Sequence, residues 1–111
     1  MILAILSDPS KAETLLNNLS EADFDLKDVS VLMKDVKLRN QIARDAGPLK
    51  GILPETLSES LAKAGVSGQN VQHCTDAISR DKPVVAMKVD PKFESAAREM
   101  FQDVSAEILE T

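Results

Sequence analysis

One phrase occurs twice in this sequence: a short apolar run, an Asp-Pro pair, then apolar residues at helical spacing. At the first occurrence Met1 to Leu6 is continuously apolar and stops at Ser7, which predicts a central strand buried on both faces. Asp8 can cap the free amides of a helix that follows, and Pro9 has the φ angle its first position needs. Ala12, Leu15, Leu16 and Leu19 then form one face. At the second occurrence Pro83 to Val89 predicts a strand and Asp90-Pro91 repeats the cap. Phe93, Ala96, Ala97, Met100 and Phe101 make the apolar stripe, with Phe93 and Phe101 expected as core aromatics. Each helix leads to a further strand. These are Val29 to Met33, closed by Lys34-Asp35, and an edge strand in the later part of Val104 to Leu109.

Two strand-helix-strand halves, 1–35 and 83–111, predict one α+β domain over 1–111. The expected form is a ferredoxin-like βαβ-βαβ sandwich, a four-stranded antiparallel sheet with two helices on one face. The connection 36–82 is too long to lack structure, so a helical insertion between strands two and three is expected in place of a hairpin. Leu38, Ile42 and Ala46 suggest a first short helix stopped by Gly47-Pro48. Leu57, Leu61 and Ala64 share one side of a second over Pro54 to Ala64, with Gly65 after it. Ser67 can cap a third, in which Val71, Cys74 and Ile78 share a face that ends near Arg80-Asp81.

The second face of such a sheet is not polar here. Strand one offers Ile2, Ala4 and Leu6 on one side and Leu3 and Ile5 on the other. Strand three does the same with Val85, Met87 and Val89 against Val84 and Ala86. Either the inserted helices or a second copy of the chain must cover that face, because large bare apolar patches mark contact surfaces. Self-association through the sheet face is therefore an expectation.

Composition narrows the function classes. With 111 residues, 43% of them apolar, the chain can bury a core without disulfide or metal staples. Its 13 basic against 18 acidic residues leave a net charge of −5, which argues against nucleic-acid binding. Cys74 is the only cysteine, so no internal disulfide forms and a cytoplasmic location is expected. Met1 to Leu6 falls far short of the roughly 20 apolar residues that span a bilayer and lacks the pattern of a signal peptide, so no membrane partner is expected.

Candidate chemistry is sparse. His73 and Cys74 are adjacent, but neighbours on a helix point about 100° apart and nothing is placed to orient the pair, so Cys74 reads as a buried inert thiol and His73 as solvent-facing. No metal-ligand spacing occurs, and neither a cofactor nor a catalytic residue is predicted. Asp8 and Asp90 read as helix caps and not as an acid-base pair. Lys34, Lys37, Arg39, Arg44 and Lys50 lie in a segment with only Asp35 and Asp45 as acids. They are the best local lead for binding a small anionic ligand, although a solvated insert is the commoner reason for such a run.

The opening strand with Ser7-Asp8-Pro9, the Val29-Ser30-Val31 strand, Gly65-Val66-Ser67 leading into a helix and then Val84 to Asp90, and the amphipathic C-terminal helix together resemble the small bacterial general-stress-protein and low-temperature-induced-protein family. The likeness covers most of the chain and lies in layout and strand-end wording. Two places depart from it: Lys37 to Lys50 is charged where relatives are often rich in Gly and Ala, and Cys74 stands where an aromatic is common. The resemblance implies a ferredoxin-like fold, a link to stress responses and no established reaction. The expected function is thus a non-catalytic, stress-associated protein acting through protein contacts as a homodimer. The alternative is a regulatory domain that senses a small anion or nucleotide.

Overall fold

The computed structural model describes residues 2–35, 37–38, 41 and 66–109. In chain order the elements are β1 (Ile2–Ile5), α1 (Pro9–Glu21), β2 (Val29–Leu32), α2 (Gly68–Ser79), β3 (Val84–Met87), α3 (Glu94–Asp103) and β4 (Glu107–Leu109). Among the described residues the fold is α+β, with a four-stranded antiparallel open sheet in the order β2-β3-β1-β4 and three helices described from end to end. Every residue of β1, β2 and β3 is buried, as their apolar runs require, whereas β4 is exposed or half-buried.

Each helix has a physical start and stop. The Asp8 carboxylate accepts the Lys11 amide at 3.1 Å and the Ser10 hydroxyl, and Pro9 occupies the first turn of α1. Ser67 caps α2 through a longer contact of 3.4 Å to the Asn70 amide. All three helices end in the same reciprocal pair of backbone bonds without a glycine. Asp23, Asp81 and Ser105 take positive φ, and the amides of Phe24, Lys82 and Ala106 reach back to the carbonyls of Leu19, Ala77 and Phe101.

The second Asp-Pro pair behaves differently from the first. The Asp90 carboxylate accepts the Lys92 amide at 3.0 Å and its carbonyl accepts the Phe93 amide at 2.8 Å, which closes a three-residue 3-10 turn over Pro91–Phe93. The helix proper begins only at Glu94, so the expected stripe is rotated. Ala97, Phe101 and Val104 are buried, while Ala96 and Phe93 face water, Phe93 at 55% exposure. Phe101 is the core aromatic that the spacing predicts; Phe93 is not.

The two faces of the sheet carry separate cores. On one, Ile2, Ala4, Val29, Val31, Val85 and Met87 pack under Leu15 and Leu19 of α1 and Ala97 and Phe101 of α3. On the other, Leu3, Ile5, Leu32, Val84 and Ala86 pack under Cys74, Ala77 and Ile78 of α2, with Val66 just before that helix. The third helix expected in the insertion thus covers the second face within the chain itself. The two other expected helices, built on Leu38 to Ala46 and Pro54 to Ala64, lie outside the described residues apart from Leu38 and Gln41, both helical, of which Leu38 packs against the first core.

Candidate functional site

β1 and β2 finish at the end of the sheet where β3 and β4 begin, so Ile5, Leu32, Val84 and Glu107 form one cross-strand row. Residues directly opposite in an antiparallel ladder share a face, so Glu107, as the partner of Ile5, lies on the α2 side. Along α2, Cys74, Ala77 and Ile78 are buried in the second core. A neighbouring stripe at i, i+3, i+4 and i+7 brings His73, Asp76, Ala77 and Arg80 to its margin. With Lys82 and Glu107 these enclose a recess of about 130 Å³ over an apolar floor of Ile5 and Ala77.

Inside it the His73 Nε2 atom lies 3.6 Å from Glu107 Oε2, with both side chains more than half exposed. At that distance the pair attracts when the imidazole is protonated but makes no close hydrogen bond, and exposed pairs contribute roughly 0–1 kcal/mol. Cys74 sits on the other side of this boundary with no exposed surface. Burial, with a smaller contribution from the Glu107 charge, pushes its thiol up from 9.0 to about 11. The two adjacent residues are therefore divided between core and surface, and no thiolate-imidazole couple forms.

Of the residues proposed from sequence as anion ligands, the described ones, Lys34 and Lys37, do not line this recess. Lys34 lines a second recess of about 270 Å³ with Pro9, Met33, Asp35, Leu38 and Asp81. Two carboxylates share that space, and that of Asp35 accepts the Leu38 amide at 3.0 Å. Lys37 is exposed, and Arg39, Arg44 and Lys50 lie outside the described residues. Asp8 and Asp90 both serve as caps; the Ser10 hydroxyl and the Lys11 amide hold the Asp8 carboxyl below its usual 3.8. Sequence reasoning missed Asp76, Arg80, Lys82 and Glu107 as neighbours. The polar stripe at 73, 76 and 80 beside the apolar one was the available signal, but the approach of Glu107 depends on strand register.

Among the described residues no group of three or more His, Cys, Asp or Glu side chains could hold a metal ion. No described helix is long and apolar enough to cross a membrane. No family model, curated protein or solved structure matches the chain.

Proposed function

We propose that this chain is a non-catalytic, stress-associated protein of the bacterial cytoplasm that acts through protein contacts as a homodimer. One observation carries the reading: β4 pairs with β1 on one side only, and among the described residues no strand lies beyond it. An open edge presents backbone donors and acceptors to an incoming strand. The sheet face expected to carry self-association is occupied by α2, so the contact moves to this edge. Antiparallel pairing of Ile108 with its counterpart sets Glu107 opposite Leu109 of the second copy and avoids acid against acid.

A ferredoxin-like assignment belongs to the same proposal. Read from its other edge the strand order is β4-β1-β3-β2, and helices α1 and α3 both cover the first core, which is what split βαβ units would produce. Membership of the small stress-protein family rests on the layout of Asp-Pro joints and strand ends. Sedimentation at micromolar concentration tests the functional reading. The chain sediments as a dimer, whereas Leu109→Glu, which sets acid against Glu107 of the second copy, sediments as a monomer that circular dichroism shows to be folded; a monomeric parent chain overturns the reading.

A second reading, a sensor of a small anion or nucleotide, draws on Lys34 at the mouth of the larger recess. Thermal shift against nucleotides and phosphorylated metabolites tests it. A ligand at a hundred times its Kd stabilises by about 2.7 kcal/mol. Lys34→Glu should abolish that shift, and an unchanged shift removes the reading.

A further inference from the structure

The geometry points to the recess between α2 and β4 as a binding site for a small zwitterion carrying one carboxylate and one ammonium, of the size of a simple α-amino acid. Charges of both signs line it: Arg80 and Lys82 as cations, Asp76 and Glu107 as carboxylates. Asp76 and Arg80 stand at i, i+4, the spacing at which opposite charges on a helix normally meet. Yet among the described residues the ion pair in the recess is His73 with Glu107, and the exposed side chains of Asp76, Arg80 and Lys82 make no hydrogen bond or ion pair with another described residue. Complementary charges that share a recess without touching leave room between them, and a molecule with both charges can bridge that room where a simple anion would meet two carboxylates. Its carboxylate pairs with Arg80 and Lys82 and its ammonium with Asp76, over the apolar floor of Ile5 and Ala77.

Size sets the class of ligand. A volume of about 130 Å³ is well below the ~300–1,000 Å³ of drug-sized sites, which favours a ligand of amino-acid size over a nucleotide. The site shares Glu107 with the β4 edge contact, through its side chain and not the strand's backbone, and is separate from the Lys34 recess; its titration reads binding whether or not either of those readings holds.

Amide chemical shifts of the ¹⁵N-labelled full chain, titrated with glycine or alanine and separately with acetate and methylammonium, test the inference. The zwitterions produce saturable shifts at Asp76, Arg80, Lys82 and Glu107, while each half-ligand alone binds at least about tenfold more weakly. Arg80→Gln and Asp76→Asn each weaken zwitterion binding about tenfold with the dispersion of the spectrum intact, and Lys34→Gln leaves it unchanged. Absence of saturation with either amino acid overturns the inference. So does acetate binding as tightly as glycine, which would mark a plain anion site, or binding that both recess variants retain.

Discussion

The two faces of the sheet are covered by unequal means. Over the first, α1 and α3 contribute Leu15, Leu16, Leu19 and Phe101, large side chains that interlock with both central strands. Over the second, among the described residues, α2 supplies Cys74, Ala77 and Ile78, two of them small. One helix is about 10 Å wide, so α2 by itself does not span four strands that lie roughly 4.8 Å apart. Leu109 on this face stays half-buried, and the mixed-charge recess opens beside it. The proposed zwitterion recess thus lies at the margin of the cover that α2 gives to the second face.

The comparison is broken most directly by truncating one side chain from each core. Phe101→Ala removes a fully buried aromatic and should cost about 3 to 5 kcal/mol, a large part of the ~5–15 kcal/mol that stabilises a domain of this size. Ile78→Ala, at the thinner face, should cost about 2 to 3 kcal/mol, since the edge of α2 can settle into the space. Urea unfolding compares them. Equal costs would mean that the second core is packed as rigidly as the first.

Cys74 gives a chemical reading of the same thinner face. Its thiol titrates at about 11 in the folded chain against 9.0 as its ordinary value. A raised folded value means that the stabilisation is complete below pH 9 and is lost as pH climbs from 9 through 11, by about 2 to 3 kcal/mol if fully expressed. Stability measured at pH 8 and pH 10.5 should fall in the parent and fall less in Cys74→Ala. Alkylation by iodoacetamide near neutral pH should wait for unfolding. Rapid alkylation of the native chain would show that α2 leaves the sheet readily.

Much of the first face was legible in the residues. Asp8-Pro9 ahead of Ala12, Leu15, Leu16 and Leu19 specifies the start and phase of α1, because cap and apolar stripe agree. At Asp90-Pro91 the same wording misleads: the proline can open a 3-10 turn as readily as a helix, and three residues of turn displace Phe93 from the stripe. The second face was half legible. Alternation in β1 and β3 shows that both sides are apolar, but pattern alone cannot say whether a helix or another chain supplies the cover. Of the recess only the polar stripe at 73, 76 and 80 was on view, since Glu107 meets His73 only through the register of β4 on β1. The end of α2 near Arg80-Asp81 was legible, but no glycine marks the positive φ of Asp23, Asp81 and Ser105.

Those helix ends sharpen the contrast on a smaller scale. Ser105 closes α3 over the first face and Asp81 closes α2 over the second, with φ of 58° and 62°. Aspartate tolerates the left-handed region better than serine, because its side chain bonds locally to the backbone. Ser105→Gly should therefore stabilise by about 0.5 to 1 kcal/mol and Asp81→Gly by less, read as shifts in the thermal midpoint. A larger gain at Asp81 would locate the greater backbone strain at the end of α2.

The smallest expected difference lies at the helix entrances. Asp8 holds the Lys11 amide at 3.1 Å and the Ser10 hydroxyl over the first face, while Ser67 over the second holds its amide at 3.4 Å and carries no charge to meet the helix dipole. Because folding lowers the Asp8 value below 3.8, the contribution of its charge is present above that pH and disappears as pH falls through the folded value. Asp8→Asn keeps a capping oxygen but loses the charge. It should be less stable than the parent at pH 6 and converge with it near pH 2, whereas Ser67→Ala should show the same small deficit at both. Thermal midpoints of the three proteins at the two pH values decide the matter. A deficit for Asp8→Asn that persisted at pH 2 would mean that the carboxylate serves α1 by shape alone, and the two helix entrances would then differ only in length of contact.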